Sequence, residues 1–295
     1  MKLIFKCFLF FYCVALNFAH AEIRVVDDIS QEIILQQAAK RIVSLAPHIT
    51  ELLFEAGAAQ QIIGTVSYSD YPEQAKSIQR IGSYNKFDLE AIVALKPDLI
   101  VAWETGNTFA RIDEVKALGF PVFINEPREF SDIPQSLVKL GKLLGTEAIA
   151  NKSAANFNRV LNQLKEKNQQ KPLVKIFYQV WNEPLFTVNG EHLISKVIEL
   201  CGGDNVFRDM SVLSPQVGLE SVLQRNPQVI VAGMNKERAR WLEEWKKWPS
   251  LNAVKDNHLY GIDADLIVRH TSRILHGTQK MCDILDRVRN QKNKI

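Results

Sequence analysis

Asp88-Leu89-Glu90-Ala91-Ile92-Val93-Ala94-Leu95-Lys96-Pro97-Asp98-Leu99-Ile100-Val101-Ala102 reads as a helix that stops and a strand that starts, and the chain uses the pattern twice. Gly218-Leu219-Glu220-Ser221-Val222-Leu223-Gln224-Arg225-Asn226-Pro227-Gln228-Val229-Ile230-Val231-Ala232 repeats it without a gap, at one offset (219 − 89 = 130). In each copy a proline ends the helix, because it cannot donate to the helical ladder, and four apolar residues follow as a strand. A repeat of this kind predicts two related lobes, and small ligands favour the cleft between such lobes.

Outward from the repeat, short β-rich runs alternate with helical ones: Arg41–Leu45, Ile49–Gly57, Ile62–Ser67, Leu89–Leu95, Asp98–Trp103, Ile112–Leu118 and Pro121–Ile124. The alternation predicts an α/β fold built of βαβ units, with a mostly parallel sheet flanked by helices in each lobe. Residues 146–170 hold no proline or glycine, and Ile149, Ser153, Phe157, Val160, Leu161 and Leu164 recur at helical spacing. They predict one long rigid α-helix of about 36 Å joining the lobes. After it the alternation restarts at Val174-Lys175-Ile176-Phe177-Tyr178. The expected organisation is therefore an N-terminal lobe over 22–145, a linker helix over 146–170 and a C-terminal lobe over 171–295. A stiff linker allows only small hinge motion, since large closure needs residues that absorb big φ/ψ changes.

Residues 1–21 form a separate unit. Met1-Lys2-Leu3-Ile4-Phe5-Lys6 is basic, an apolar run from Cys7 to Phe18 is broken by Asn17, and Ala19-His20-Ala21 offers a cleavage point. That is the pattern of an export signal with Glu22 as the mature start, and the apolar run is short for a membrane span. Neither Cys7 nor Cys13 has the small-residue setting of a lipoprotein signal. Cleavage leaves 36 − 2 = 34 basic residues against 33 acidic ones. So balanced a charge provides no general attraction to nucleic acid or acidic membranes. The two remaining cysteines, Cys201 and Cys282, are expected to form a disulfide in an oxidising compartment.

In open parallel sheets ligands bind beyond the carboxyl ends of the strands. The strand over Leu99–Ala102 ends at Trp103. Tyr68 and Tyr84 sit on neighbouring loops, Phe186 on the loop after Val174–Tyr178, and Asp265 and Arg269 follow the last strand. Rings on facing loops suit a broad, flat, partly apolar ligand, because they bury much area with few rotamers to freeze. Asp265 and Arg269 add an acceptor and a forked donor. A Gly-x-Ser-x-Gly elbow, a phosphate-cradling loop and His-Glu-x-x-His are all absent, so the chain carries none of the common catalytic signatures. His48, His192, His258, His270 and His276 lack metal-ligand spacing, so no metal site is predicted. Trp241, Trp245 and Trp248 share one helical face, expected to pack on a sheet.

With these residues in view, the chain resembles the cobalamin-binding members of the periplasmic receptor family for siderophores, haem and cobalamin. The resemblance rests on Ser44-Leu45-Ala46-Pro47 with Thr50-Glu51, Val66-Ser67-Tyr68-Ser69-Asp70-Tyr71-Pro72, Asp88-Leu89-Glu90, Ala94-Leu95-Lys96-Pro97-Asp98 and Ala102-Trp103. Cys201-Gly202-Gly203 with Asn205 and Phe207, and Pro215-Gln216-Val217, continue it over nearly all of the mature chain. It implies a monomeric periplasmic carrier, not an enzyme and without a cofactor, that holds cobalamin or another corrinoid between its lobes. It further implies delivery to the permease and ATPase complex of an ABC transporter in the inner membrane. By position, Tyr68, Tyr84, Trp103 and Phe186 match ring-contacting residues, Asp265 and Arg269 the polar pair, Cys201 and Cys282 a disulfide, and Glu90 and Glu220 the pair that docks on the permease. Each of these glutamates also suits the first turn of its helix, whose dipole favours a carboxylate. The chain departs from the pattern at Ser214, where the cobalamin binders have tryptophan. Ile23–Leu35 also looks like the opening hairpin of siderophore and haem receptors, which makes a ferric siderophore or haem the alternative ligand. Anionic complexes favour several basic side chains, and here only Arg269, with Arg111 and Arg128, comes forward. Haem also needs an axial group, and Tyr68 offers one.

Overall fold

The computed structural model describes residues 22–234 and 240–292; the expected export signal over residues 1–21 lies outside them. The described chain opens on an antiparallel hairpin of β1 (Ile23–Val26) and β2 (Glu32–Leu35), where the sequence read as strand. Then follow β3 (Ile42–Ser44), β4 (Ile62–Gly64), the short pair β5 (Gly82–Ser83) and β6 (Lys86–Phe87), β7 (Leu99–Ala102) and β8 (Val122–Ile124). The second lobe supplies β9 (Val174–Gln179), β10 (Gly203–Asn205), β11 (Val229–Met234) and β12 (Leu259–Asp263).

Two four-stranded parallel sheets result, ordered β4-β3-β7-β8 and β10-β9-β11-β12. The orders are the same, 2-1-3-4, once the strands of each parallel sheet are numbered in chain order. The two copies of the repeat form the helices Leu89–Leu95 and Leu219–Arg225, followed by β7 and β11, each the third strand in chain order of its parallel sheet. Both helices end on a residue with left-handed backbone, Lys96 (φ 47°) and Asn226 (φ 43°), which turns the chain back along the sheet. The two starts differ. The Asp88 carboxylate accepts from the Glu90 and Ala91 N–H groups, whereas Gly218 offers no side-chain cap.

β7 is buried along its whole length, as a central parallel strand should be. Its residues alternate between two cores: Leu99 and Val101 face an inner one, Ile100 an outer one with Ile92 and Val115. The second lobe copies this with Val229 and Val231 inward and Ile230 outward beside Val222. Each outer core belongs to one lobe. The inner core is shared, running from Leu52 and Phe123 through Phe157, Leu161 and Leu164 to Ile198 and Leu285.

The connector is the 22-residue helix Glu147–Asn168, about 33 Å long at 1.5 Å per residue. Its buried residues Ala150, Ala154, Phe157, Leu161 and Leu164 follow spacings of four and three, so one face packs along its length while the other meets water. Cys201, which ends the helix Leu193–Leu200, is joined by a disulfide to Cys282 in the final helix Ile274–Lys292. The tryptophan face is interrupted. The helix Arg240–Glu244 tightens into a 3₁₀ turn over Trp245–Lys247, so only Trp245 enters the outer core, edge-on to Phe177, with Trp248 against it. Trp241 turns instead toward Trp181, their rings 5.2 Å apart.

Candidate ligand-binding cleft

The carboxyl ends of both sheets face one another, and the last loop of the second lobe stitches them together. Arg269 Nη1 donates to Glu51 (2.8 Å) on the first helix, Pro47–Glu55, and to Asp70 (2.9 Å) in the loop after β4. Its Nη2 meets Asp265 at 3.0 Å. Arg273 and Thr271 also reach Glu51, Ser272 reaches Glu55, and the His270 ring bonds the Pro127 carbonyl just past β8. Five consecutive residues of one lobe thus hold the other. Glu51 is almost wholly buried, and a buried carboxylate of that kind is tolerable only because two guanidinium groups and a hydroxyl surround it.

On the N-terminal rim, the chain after β4 is anchored from below. The Ser69 hydroxyl is buried and accepts from the hydroxyls of Thr65 and Thr50, while Arg80 donates to its carbonyl. With Ser69 pulled in, Tyr68 adopts positive φ (65°), a conformation that costs a non-glycine residue on the order of 1 kcal/mol. Its ring is left 74% exposed. Trp103, one residue past β7, lies 6.0 Å from the Tyr84 ring and edge-to-face with His48 at 5.1 Å. Its backbone N–H donates to the Asn107 side chain, which in turn donates to the carbonyls of Leu45 and Tyr84. Asn107 is fully buried and so fixes three segments relative to one another. A methyl group built at Gly106 would overlap the Trp103 ring, so glycine is what lets the indole lie over that turn.

On the C-terminal rim, Phe186 is half-buried and stands in a β-bridge to Trp181 on one side and to Gln216 on the other. Ser214, two residues before Gln216, is exposed. Asp265 is partly exposed beside the buried Arg269. Of the residues picked out from sequence, Tyr84 and Trp103 are in direct ring contact, Asp265 and Arg269 are paired, and Arg269 ties Asp70 to the same group two residues beyond Tyr68. Phe186 touches none of these directly among the described contacts, and it occupies the same carboxyl edge of the second sheet. A cavity of about 830 Å³ lies elsewhere, on the linker side of the ion pairs between Phe54, Tyr71, Phe157 and Arg273. None of the six residues expected to contact a ligand lines it.

Three histidines that look scattered in sequence come into line here: His48 to His270 at 6.4 Å and His270 to His192 at 6.2 Å between ring centroids. Burial, then the positive charges of His270 and Arg269, push His48 down to about 3. Burial, then His270, pushes His192 down to about 4. The His192 Nδ1 accepts the Ile194 N–H, which caps its helix and puts the ring proton on Nε2. Burial also lowers His270, against the opposing pull of the Pro127 carbonyl and nearby carboxylates. The row is therefore neutral and apolar in character at physiological pH. Among the described residues no group of three or more His, Cys, Asp or Glu side chains is disposed to hold a metal ion. Glu90 and Glu220 are exposed in the first turns of their helices, and neither forms an ion pair among the described residues.

The family model for periplasmic binding proteins matches residues 42–266. A vitamin B12-binding protein of Vibrio campbellii is 35% identical over 256 residues, covering 86% of this chain and 92% of that protein. One from Yersinia pestis is 36% identical over 251 residues, covering 83% and 86%. The crystal structure of the periplasmic vitamin B12 binding protein of Vibrio cholerae superposes with a TM-score of 0.80 at 32% identity, covering 85% of this chain and 98% of that one.

Proposed function

Because this chain belongs to the periplasmic binding protein family, a family of carriers and not of enzymes, we propose that it captures cobalamin or a related corrinoid in the periplasm and hands it to an ABC importer. The observation that carries this reading is the rim of Tyr68, Tyr84 and Trp103, held in place by Asn107, in a chain whose similar proteins are vitamin B12-binding proteins. A corrin is broad and flanked by neutral amides. Tyr68, Tyr84, Trp103 and Phe186 stack on it, and Asp265 accepts from an amide. Arg269 contributes from one step back: with its donors engaged by Glu51, Asp70 and Asp265, it holds the two outer carboxylates at the cleft. That arrangement leaves little positive charge for an anionic ferric complex. The neutral histidine row beneath Trp103 fits the same preference.

Residues 22–145 and 171–295 serve as two lobes and 146–170 as the spacer between them, with residues 1–21 as the export signal. Glu90 and Glu220 dock on basic residues of the permease, one glutamate from each lobe, and the carrier works as a monomer with no catalytic cofactor. Titration of the purified protein with cyanocobalamin, haem and a ferric hydroxamate tests the ligand. Cyanocobalamin is expected to bind tightest, and tighter binding of either iron complex would overturn the corrinoid reading.

A further inference from the structure

The second lobe has no ring at the place where the first lobe presents Trp103. The residue 130 positions on is Gly233, and a side chain there would meet the Tyr178 hydroxyl and Ala264. A wall on that side must come from another strand. Past the end of β9 the chain doubles back, with the Val180 N–H donating to the Phe186 carbonyl (2.9 Å) and the Phe186 N–H to the Trp181 carbonyl (3.1 Å). Residues opposite one another in an antiparallel bridge present their side chains on the same face. Leu185 packs on the outer core and Val180 on the inner one, so Phe186 and its partner Trp181, the next residues along, alternate away from both. On the far side of Phe186 the neighbouring segment carries the polar, exposed Ser214 and Gln216, preceded by the exposed aliphatic Val212 and Leu213 and with no ring.

Trp181 is 45% exposed, yet its position is fixed. Its indole N–H donates to the Glu183 carbonyl at 3.1 Å, and its ring lies edge-to-face with Trp241 at 73°. Trp241 is set by a chain of hydrogen bonds: Trp245 donates to Gln179, Gln179 to Asn182, and Asn182 to Glu244 on the helix that carries Trp241. With the indole N–H satisfied, what Trp181 presents outward is rigid apolar area, which binds at little entropic cost.

Resting on the corrinoid reading, we propose that Trp181 is a further ligand-contacting and specificity-determining residue, forming with Phe186 the second wall of the cleft, and that Trp241 is the residue that positions it. Calorimetric titration with cyanocobalamin tests this, using wild type, Trp181→Ala, Trp181→Phe, Trp241→Ala and Trp241→Phe, with thermal unfolding of each ligand-free variant alongside. Trp181→Ala is expected to weaken binding at least about tenfold with little change in Tm, as for a buried aromatic anchor, and Trp181→Phe to recover most of the loss. Trp241→Ala is expected to weaken binding roughly three- to fivefold, since it acts through its neighbour, and Trp241→Phe to restore it. An affinity within about twofold of wild type for Trp181→Ala, while Trp103→Ala binds poorly, overturns the second wall and leaves the corrinoid reading standing. Wild-type protein that takes up no cyanocobalamin sinks that reading first, and the wall with it.

Discussion

The two copies of the repeated unit agree at their helix starts and part company at their strand ends. Glu90 and Glu220 occupy equivalent, exposed first-turn positions, and Lys96 and Asn226 make equivalent left-handed turns. At the strand ends, one copy carries Trp103 beside Tyr84 and His48, and the other carries Gly233, still within β11 and packed under Tyr178. What the lobes share is the helix start and its closing turn, and what distinguishes them is the ring at the strand end. On the docking proposal, a two-fold symmetric partner fits the shared glutamates, whereas a ligand with two unlike sides fits the divergent strand ends.

Reversing both shared carboxylates, Glu90→Arg with Glu220→Arg, is the strongest way to break the comparison. Uptake of labelled cyanocobalamin into vesicles bearing the importer is expected to fall to background, with affinity for the free ligand unchanged. Undiminished uptake would leave the pair as helix-dipole residues only. Trp103→Ala breaks the unshared side. Cyanocobalamin affinity is expected to fall by about 2 kcal/mol, as for a central aromatic hot spot, with uptake at saturating ligand retained; an unchanged Kd would reduce Trp103 to loop packing.

The histidine row sharpens the contrast through pH. An unfolded imidazole takes its proton near pH 6.5, but His48 in the fold does not until about 3 and His192 not until about 4. The unfolded state thus binds more protons in that window, so stability is full above neutral pH and is lost as the pH falls through 6.5 toward 4. The loss approaches about 1.4 kcal/mol per pH unit for each buried ring. In urea titrations from pH 7 to 5, His48→Leu should flatten the dependence, and an unaltered slope would show that His48 is not buried neutral. The smallest effect lies at the helix starts, where Asp88→Ala should cost about 1 kcal/mol and Gly218→Ser gain a few tenths by supplying the missing cap. Equal responses in chemical unfolding would deny the difference between the two caps.

The sheets, the connector and the strand-end aromatics were legible because each leaves a periodic or punctuating trace: a short apolar run in β9, four-three spacing in Glu147–Asn168, a proline before β7 and β11. The stitch between the lobes leaves none. Arg269 and Glu51 are 218 positions apart, and nothing local to either marks the other as its partner. That is why Arg269 reads from sequence as a donor to the ligand, while the structure engages it with three carboxylates. Asn107 escaped notice because asparagine after a strand usually signals only a turn. The histidines looked unrelated because their proximity depends on how two lobes meet. The tryptophan face was read as one surface, and the 3₁₀ turn at Trp245 rotates Trp241 off it.

A single inner core crossing the lobe boundary, reinforced by five consecutive residues that grip the opposite lobe, has a cost for traffic at the membrane. A receptor that hardly changes shape when filled presents nearly the same outline to the gate whether or not it carries cargo. Vacant copies then queue for the same doorway as laden ones, and import should slow when the cell makes more of this receptor than it can fill.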